Sequence, residues 1–162
     1  MTESKGNGEE RRPQAGAPPP LPQEVLAHLQ HALLAAVLSR QALPGSDRPV
    51  ALPDLQFVLG GEAVALAEQN LAARSVVEGL ARPVRVLRPK ELQQEAERRG
   101  ELAYLRFQPA EKDDDSILLT LEARIARPDP SEPQLGLSGV QARFVEIDGR
   151  WEVAEEPAFF AV

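Results

Sequence analysis

The chain reads as an α+β protein, with helices grouped early and packed on a four-strand antiparallel meander at about residues 101–154. Three observations predict this. Residues 116–127 alternate without a break: Ile117, Leu119, Leu121, Ala123 and Ile125 share one face of a strand, and Ser116, Leu118, Thr120, Glu122, Arg124 and Ala126 the other. Residues 22–40 carry a wide apolar stripe of helical period, made by Val25, Leu29, Ala32, Leu33, Ala36 and Val37. Asp148-Gly149 separates two alternating runs, and that dipeptide favours a type I′ hairpin turn.

The totals narrow the class. A chain of 162 residues is long enough for one domain with a proper core. Aromatic residues make up only 4%, so the core must rest on Leu, Val, Ile and Ala. The net charge of −7 argues against nucleic-acid binding and against docking on an anionic membrane, both of which need clustered Lys and Arg. There is no Cys, which excludes disulfides, thiol catalysis and Cys-based zinc sites. The first twenty residues are polar and proline-rich rather than a signal peptide, and the apolar run at residues 25–38 is too short to span a bilayer. A cytoplasmic location is the simpler expectation.

Along the chain, residues 1–21 form a Pro/Gly-rich tail with almost no apolar side chain, expected to be disordered. A proline-rich ligand for an SH3-like or WW-like groove is its functional alternative. The single domain, residues 22–162, opens with the first helix, for which Pro22 suits the first turn. Leu26, Leu34 and Leu38 extend its stripe most of the way round, leaving Glu24, His28, His31 and Ser39 on the remaining arc. Short strands are expected at residues 50–52 and 55–59. Gly60-Gly61 then opens a second helix at about residues 62–78, which Gly79 ends. Residues 84–87 read as a strand. Pro89 starts a third helix with a thin stripe, Leu92 and Ala96, and Gly100 stops it. Residues 101–108, the long alternating strand and the two arms of the Asp148-Gly149 hairpin complete the meander. The turn sets Ile147 opposite Arg150, Glu146 opposite Trp151 and Phe144 opposite Val153.

That last hairpin, Val-Glu-Ile-Asp-Gly-Arg-Trp-Glu-Val at residues 145–153, together with the early helices and the short helix before the meander, resembles the nuclear-transport-factor-two-like superfamily. The resemblance spans about residues 22–154. It implies an antiparallel sheet curled into a cone around a pocket, and it carries over no catalytic residue. The cystatin-like arrangement, a helix wrapped by a meander, is the nearest competitor.

Five constellations are candidates for chemistry, each with a plainer alternative. His28 and His31 lie three apart on a helix with Glu24 on the same arc, a spacing at which a metal can be shared; a polar strip on an apolar helix is the plainer reading. Glu111, Asp113, Asp114 and Asp115 offer oxygen ligands to a hard cation, but they lack the spacers and turning Gly of a calcium loop and read as solvated charge. Gly60-Gly61 before a helix can present backbone N–H groups to an anion, or simply make a tight turn. Arg82, Arg85, Arg88, Lys90, Arg98 and Arg99 crowd one third of the chain, interleaved with Glu91, Glu95 and Glu97 and without aromatic platforms, so a mixed-charge surface is favoured over an RNA site. Finally, Glu122, Tyr104 and Arg124, with Thr120 and Arg106, share the mixed face of the meander. They orient a ligand if that face lines a cone, with Glu122 as base, and are ordinary cross-strand pairs if it faces water.

No metal site, cofactor or catalytic triad emerges. The leading expectation is a non-catalytic protein-interaction or regulatory module, binding a protein partner or a second copy through an interface on the first helix at Leu26, Leu34 and Leu38. The alternative is a small-molecule pocket protein, an isomerase or hydrolase, with Glu122, Tyr104 and Arg124 inside the curved sheet.

Overall fold

The computed structural model describes residues 21–60 and 63–161, so all of the expected tail but Leu21 lies outside the described residues. Helix α1, Gln23–Ser39, starts directly after Pro22 and stops where Arg40 turns left-handed at φ 54°. The next segment departs from expectation. Val50 and Leu52 are buried but form no strand, and residues 55–59, expected extended, contain the short helix α2, Leu55–Val58. The described part of the expected second helix, residues 63–78, holds no α-helix. They contain strand β1, Val64–Ala67, and then a 3-10 turn at Arg74–Val77. All four β1 side chains are buried, Val64 and Leu66 against one core and Ala65 and Ala67 against another. A strand covered on both faces loses the polar half of its alternation, and a short apolar run then mimics part of a helix.

Strand β2, Val84–Leu87, leads into α3, Pro89–Arg99, whose Leu92 and Ala96 are buried and whose chain turns at Gly100 with φ 101°. The remaining strands are β3, Leu102–Phe107; β4, Glu111–Asp113; β5, Ser116–Ala126; β6, Leu135–Ile147; β7, Arg150–Val153; and β8, Ala158–Ala161. The antiparallel series β3-β5-β6-β7 is present, but it is one part of a larger mixed sheet of eight strands, ordered β2-β1-β3-β5-β6-β7. The expected four-strand meander is corrected accordingly. Strand β1 pairs in parallel with both β2 and β3. Strand β4 continues the β3 edge of β5, and β8 continues the β7 edge of β6.

Helix α1 lies on one face of this sheet, over Leu105, Phe107, Ile117, Leu119, Leu121, Ala142 and Phe144. Helix α3 lies on the other, over Ala65, Ala67, Leu102, Tyr104 and Ala126. The Asp148-Gly149 turn has φ 53° and 79°, as a type I′ turn requires, and the register of the three pairs read from the sequence is the observed one.

Candidate functional site

The sheet face that carries α3 brings Tyr104, Arg106, Glu122 and Arg124 together. Tyr104 sits opposite Arg124 and Arg106 opposite Glu122 in the β3–β5 ladder, and opposed residues share a face. Glu122 is 2% exposed. Its Oε1 accepts a 2.8 Å hydrogen bond from Arg124 Nη1, and Arg106 Nη2 lies 3.7 Å from the same oxygen. Tyr104 is buried and hydrogen-bonds Gln134. Burial raises the Tyr104 phenol above the usual tyrosine value; the neighbouring Arg124 and Arg106 oppose that rise without cancelling it. Burial disfavours the Arg124 cation, but its bonds to Glu122 and Tyr104 outweigh that and hold it charged.

The three residues expected at a ligand pocket therefore do meet, but in a closed arrangement. One guanidinium bonds the Glu122 carboxylate and a second flanks the same oxygen, so Oε1 is already engaged within the protein and is not presented to a ligand's proton. The cluster sets two guanidiniums against one carboxylate, and the ε-nitrogens of Arg106 and Arg124 are buried without a hydrogen-bond partner.

The other candidates separate. His31 donates from Nδ1 to the Val76 carbonyl at 2.9 Å, while His28 and Glu24 are exposed, so the arc is split between packing and solvent. The acidic run makes the β4–β5 hairpin: Asp114 turns at φ 47°, Lys112 donates to the Asp114 carbonyl and Ser116 to that of Asp113. Among the described residues no group of three His, Asp or Glu is placed to hold a metal. The glycine pair precedes a strand, so no helix N-terminus stands there, and Gly61 lies outside the described residues. The basic stretch is internally neutralised at one centre. Arg98, Arg85 and Arg99 all converge on the Glu95 carboxylate, and the first two of these hold it below its usual range.

The interface expected on α1 is corrected too. Leu34 and Leu38 are buried in the main core, and Leu26 packs against it, because the 3-10 turn and the sheet cover the helix within its own chain. Among the described residues no helix is long and apolar enough to cross a membrane.

Two features escaped the sequence reading. One is a groove of about 370 Å³ between the start of α1 and the β6–β7 hairpin, walled by Leu21, Val25, Ile117 and Trp151 and rimmed by Lys112, Asp115 and Glu146. The other is the sheet edge at β8. Its sequence, Ala158-Phe159-Phe160-Ala161, has no charge, and Phe159 is 46% exposed. Phe160 folds its ring onto Gly139, where a β-carbon would collide with it, so this glycine lets the ring lie flat on the sheet. The outer edges of the sheet differ. Beside β2 stand Arg82, Pro83, Arg85 and Arg88, a charged and proline-bearing border. Along β7, the Val153 N–H donates to the Pro44 carbonyl at 2.8 Å, which caps that edge. Strand β8 has no pairing partner on its outer side among the described residues. The signal for it is the uncharged apolar run at residues 158–161, too short to distinguish a strand by pattern.

The fold defines the chain as an α+β protein built on a mixed sheet, with α1 on one face and α3 on the other. Compared with protein-family models, with curated proteins and with solved structures, it matches none.

Proposed function

We propose that this chain is a non-catalytic protein-interaction module that docks protein through the β8 edge. The observation that carries the reading is the contrast between edges: β2 is bordered by arginines and proline, β7 is capped by Pro44, and β8 is apolar and open. An open edge offers a row of unpaired N–H and C=O groups to another strand, and proteins that do not use such an edge blunt it with charge, proline or a covering loop. The pocket reading, with Glu122, Tyr104 and Arg124 around a small molecule, draws support from the burial of Tyr104 and Glu122. It is the weaker of the two because Glu122 is already engaged by Arg124. The hairpin likeness to the nuclear-transport-factor-two-like superfamily contributes no residue to either reading.

The test compares tagged wild type with Phe159→Lys in affinity capture from native lysate, read by mass spectrometry. A stoichiometric protein held by wild type and lost with Phe159→Lys is the expected result. Equal capture by both forms moves the docking site away from β8, and capture by neither, together with a chain that does not self-associate, contradicts the module.

A further inference from the structure

The β8 edge is uncharged and can pair with a copy of itself. We propose that a second copy of this chain pairs with it, β8 against β8 and antiparallel, about a two-fold axis at Phe159. This rests on the reading of β8 as a docking edge and goes further by naming what docks.

Opposed residues in an antiparallel ladder share a sheet face, and a two-fold axis swaps the two members of each pair. Both members must therefore have the same parity, so the axis passes through a residue and not between two. Only Phe159 and Phe160 are central enough in β8. Phe160 is committed within its own chain, with its ring on Gly139. Phe159 is 46% exposed and free to meet its symmetry mate. An axis at Phe159 also sets Ala158 opposite Phe160 of the other copy, a small side chain facing a large one, on the opposite sheet face. No charge faces a like charge anywhere in residues 157–161, and the nearest acid, Glu156, is paired with Arg48 at 3.4 Å. The two sheets join into one continuous sheet across the seam, and each copy covers the only β edge that its partner leaves apolar and open among the described residues. Four residues a side make a small contact, so the expected dimer is weak and reversible, with a dissociation constant of roughly 1 µM to 1 mM.

The absence of Cys from the chain makes the register directly readable. Directly opposed strand residues have Cα atoms about 4.5–5.5 Å apart, inside the range a disulfide bridges. A Phe159→Cys protein is therefore expected to oxidise to a disulfide-linked dimer at least about tenfold faster than Phe57→Cys, which replaces a phenylalanine more exposed still, at 56%. Sedimentation equilibrium of the full chain is expected to show a monomer–dimer equilibrium for wild type, weakened about tenfold or more in Phe159→Lys. Folding of each variant is checked by the fluorescence of the single Trp151. A wild type that stays monomeric up to about 1 mM overturns the proposal. So does a dimer that Phe159→Lys leaves intact, or equal oxidation rates for the two cysteine variants. If the wild type is monomeric yet captures a different protein that Phe159→Lys loses, self-pairing fails while the docking edge stands.

Discussion

Glu122 reads as a candidate base in the sequence, and in the fold its Oε1 is bonded by Arg124 and flanked by Arg106. Alternation along β5 and β3 was enough to place Glu122, Arg124, Tyr104 and Arg106 on one face, so the membership of the cluster was legible in the sequence. Its chemistry was not, because which guanidinium reaches which oxygen depends on the register between strands far apart in sequence, and on rotamers. The Tyr104 phenol reports on this closed environment. Burial raises its pKa, so above the unfolded-chain value of about 10 the folded state keeps a proton that the unfolded state has lost. Stability therefore falls as pH rises through that window, and the contribution is complete below it. The chain has one tyrosine, so absorbance of the phenolate follows this group alone. We expect the folded protein to titrate above the ordinary tyrosine range and the denatured protein to return to it; an ordinary midpoint in the folded protein would show Tyr104 open to solvent.

At the scale of elements, local signals carried far and long-range ones did not. The Asp148-Gly149 turn, the Pro89 start and Gly100 stop of α3 and the unbroken alternation of β5 are each contained in a few residues, and each appears where the sequence places it. The β1 segment reads as part of a helix in the sequence because both its faces are covered and no polar residue marks a side. What holds the segment after β1 in place is a clamp across 40 positions of sequence. Gln30, fully buried on α1, donates from Nε2 to the Asn70 carbonyl at 2.8 Å and accepts from the Ala72 N–H at 2.9 Å. Asn70, left-handed at φ 64°, donates in turn to the Phe107 carbonyl at 2.8 Å. Gln30 thus ties α1 to the turn between β1 and the 3-10 segment, and no periodicity in either stretch announces it. Replacing Gln30 by Leu fills similar space but strands the Ala72 N–H, at a cost of about 2 kcal/mol. Urea denaturation should show that loss, with faster amide exchange at residues 70–77. A stability within error of wild type would mean that these groups find other partners.

At the scale of the whole molecule, the sheet has two ends of different character. One is short, parallel and bordered by arginines; the other is antiparallel and is shared along β6 by the capped β7 and the uncharged β8. The acidic net charge of −7 keeps copies apart in general, so association must come from a local feature that outweighs it, and β8 is such a feature. The α1 surface expected to do this work is instead consumed by the core, as Leu34 and Leu38 show. This end of the sheet joins copies only if β8 pairs with β8 of a second chain. Hydrogen–deuterium exchange of the wild-type chain at low and high protein concentration tests it most directly, because pairing protects outward amides that are otherwise open to water. We expect protection of residues 158–161 to rise with concentration while that of β2 stays constant; protection at β8 that does not change with concentration, or that rises equally at β2, would contradict it.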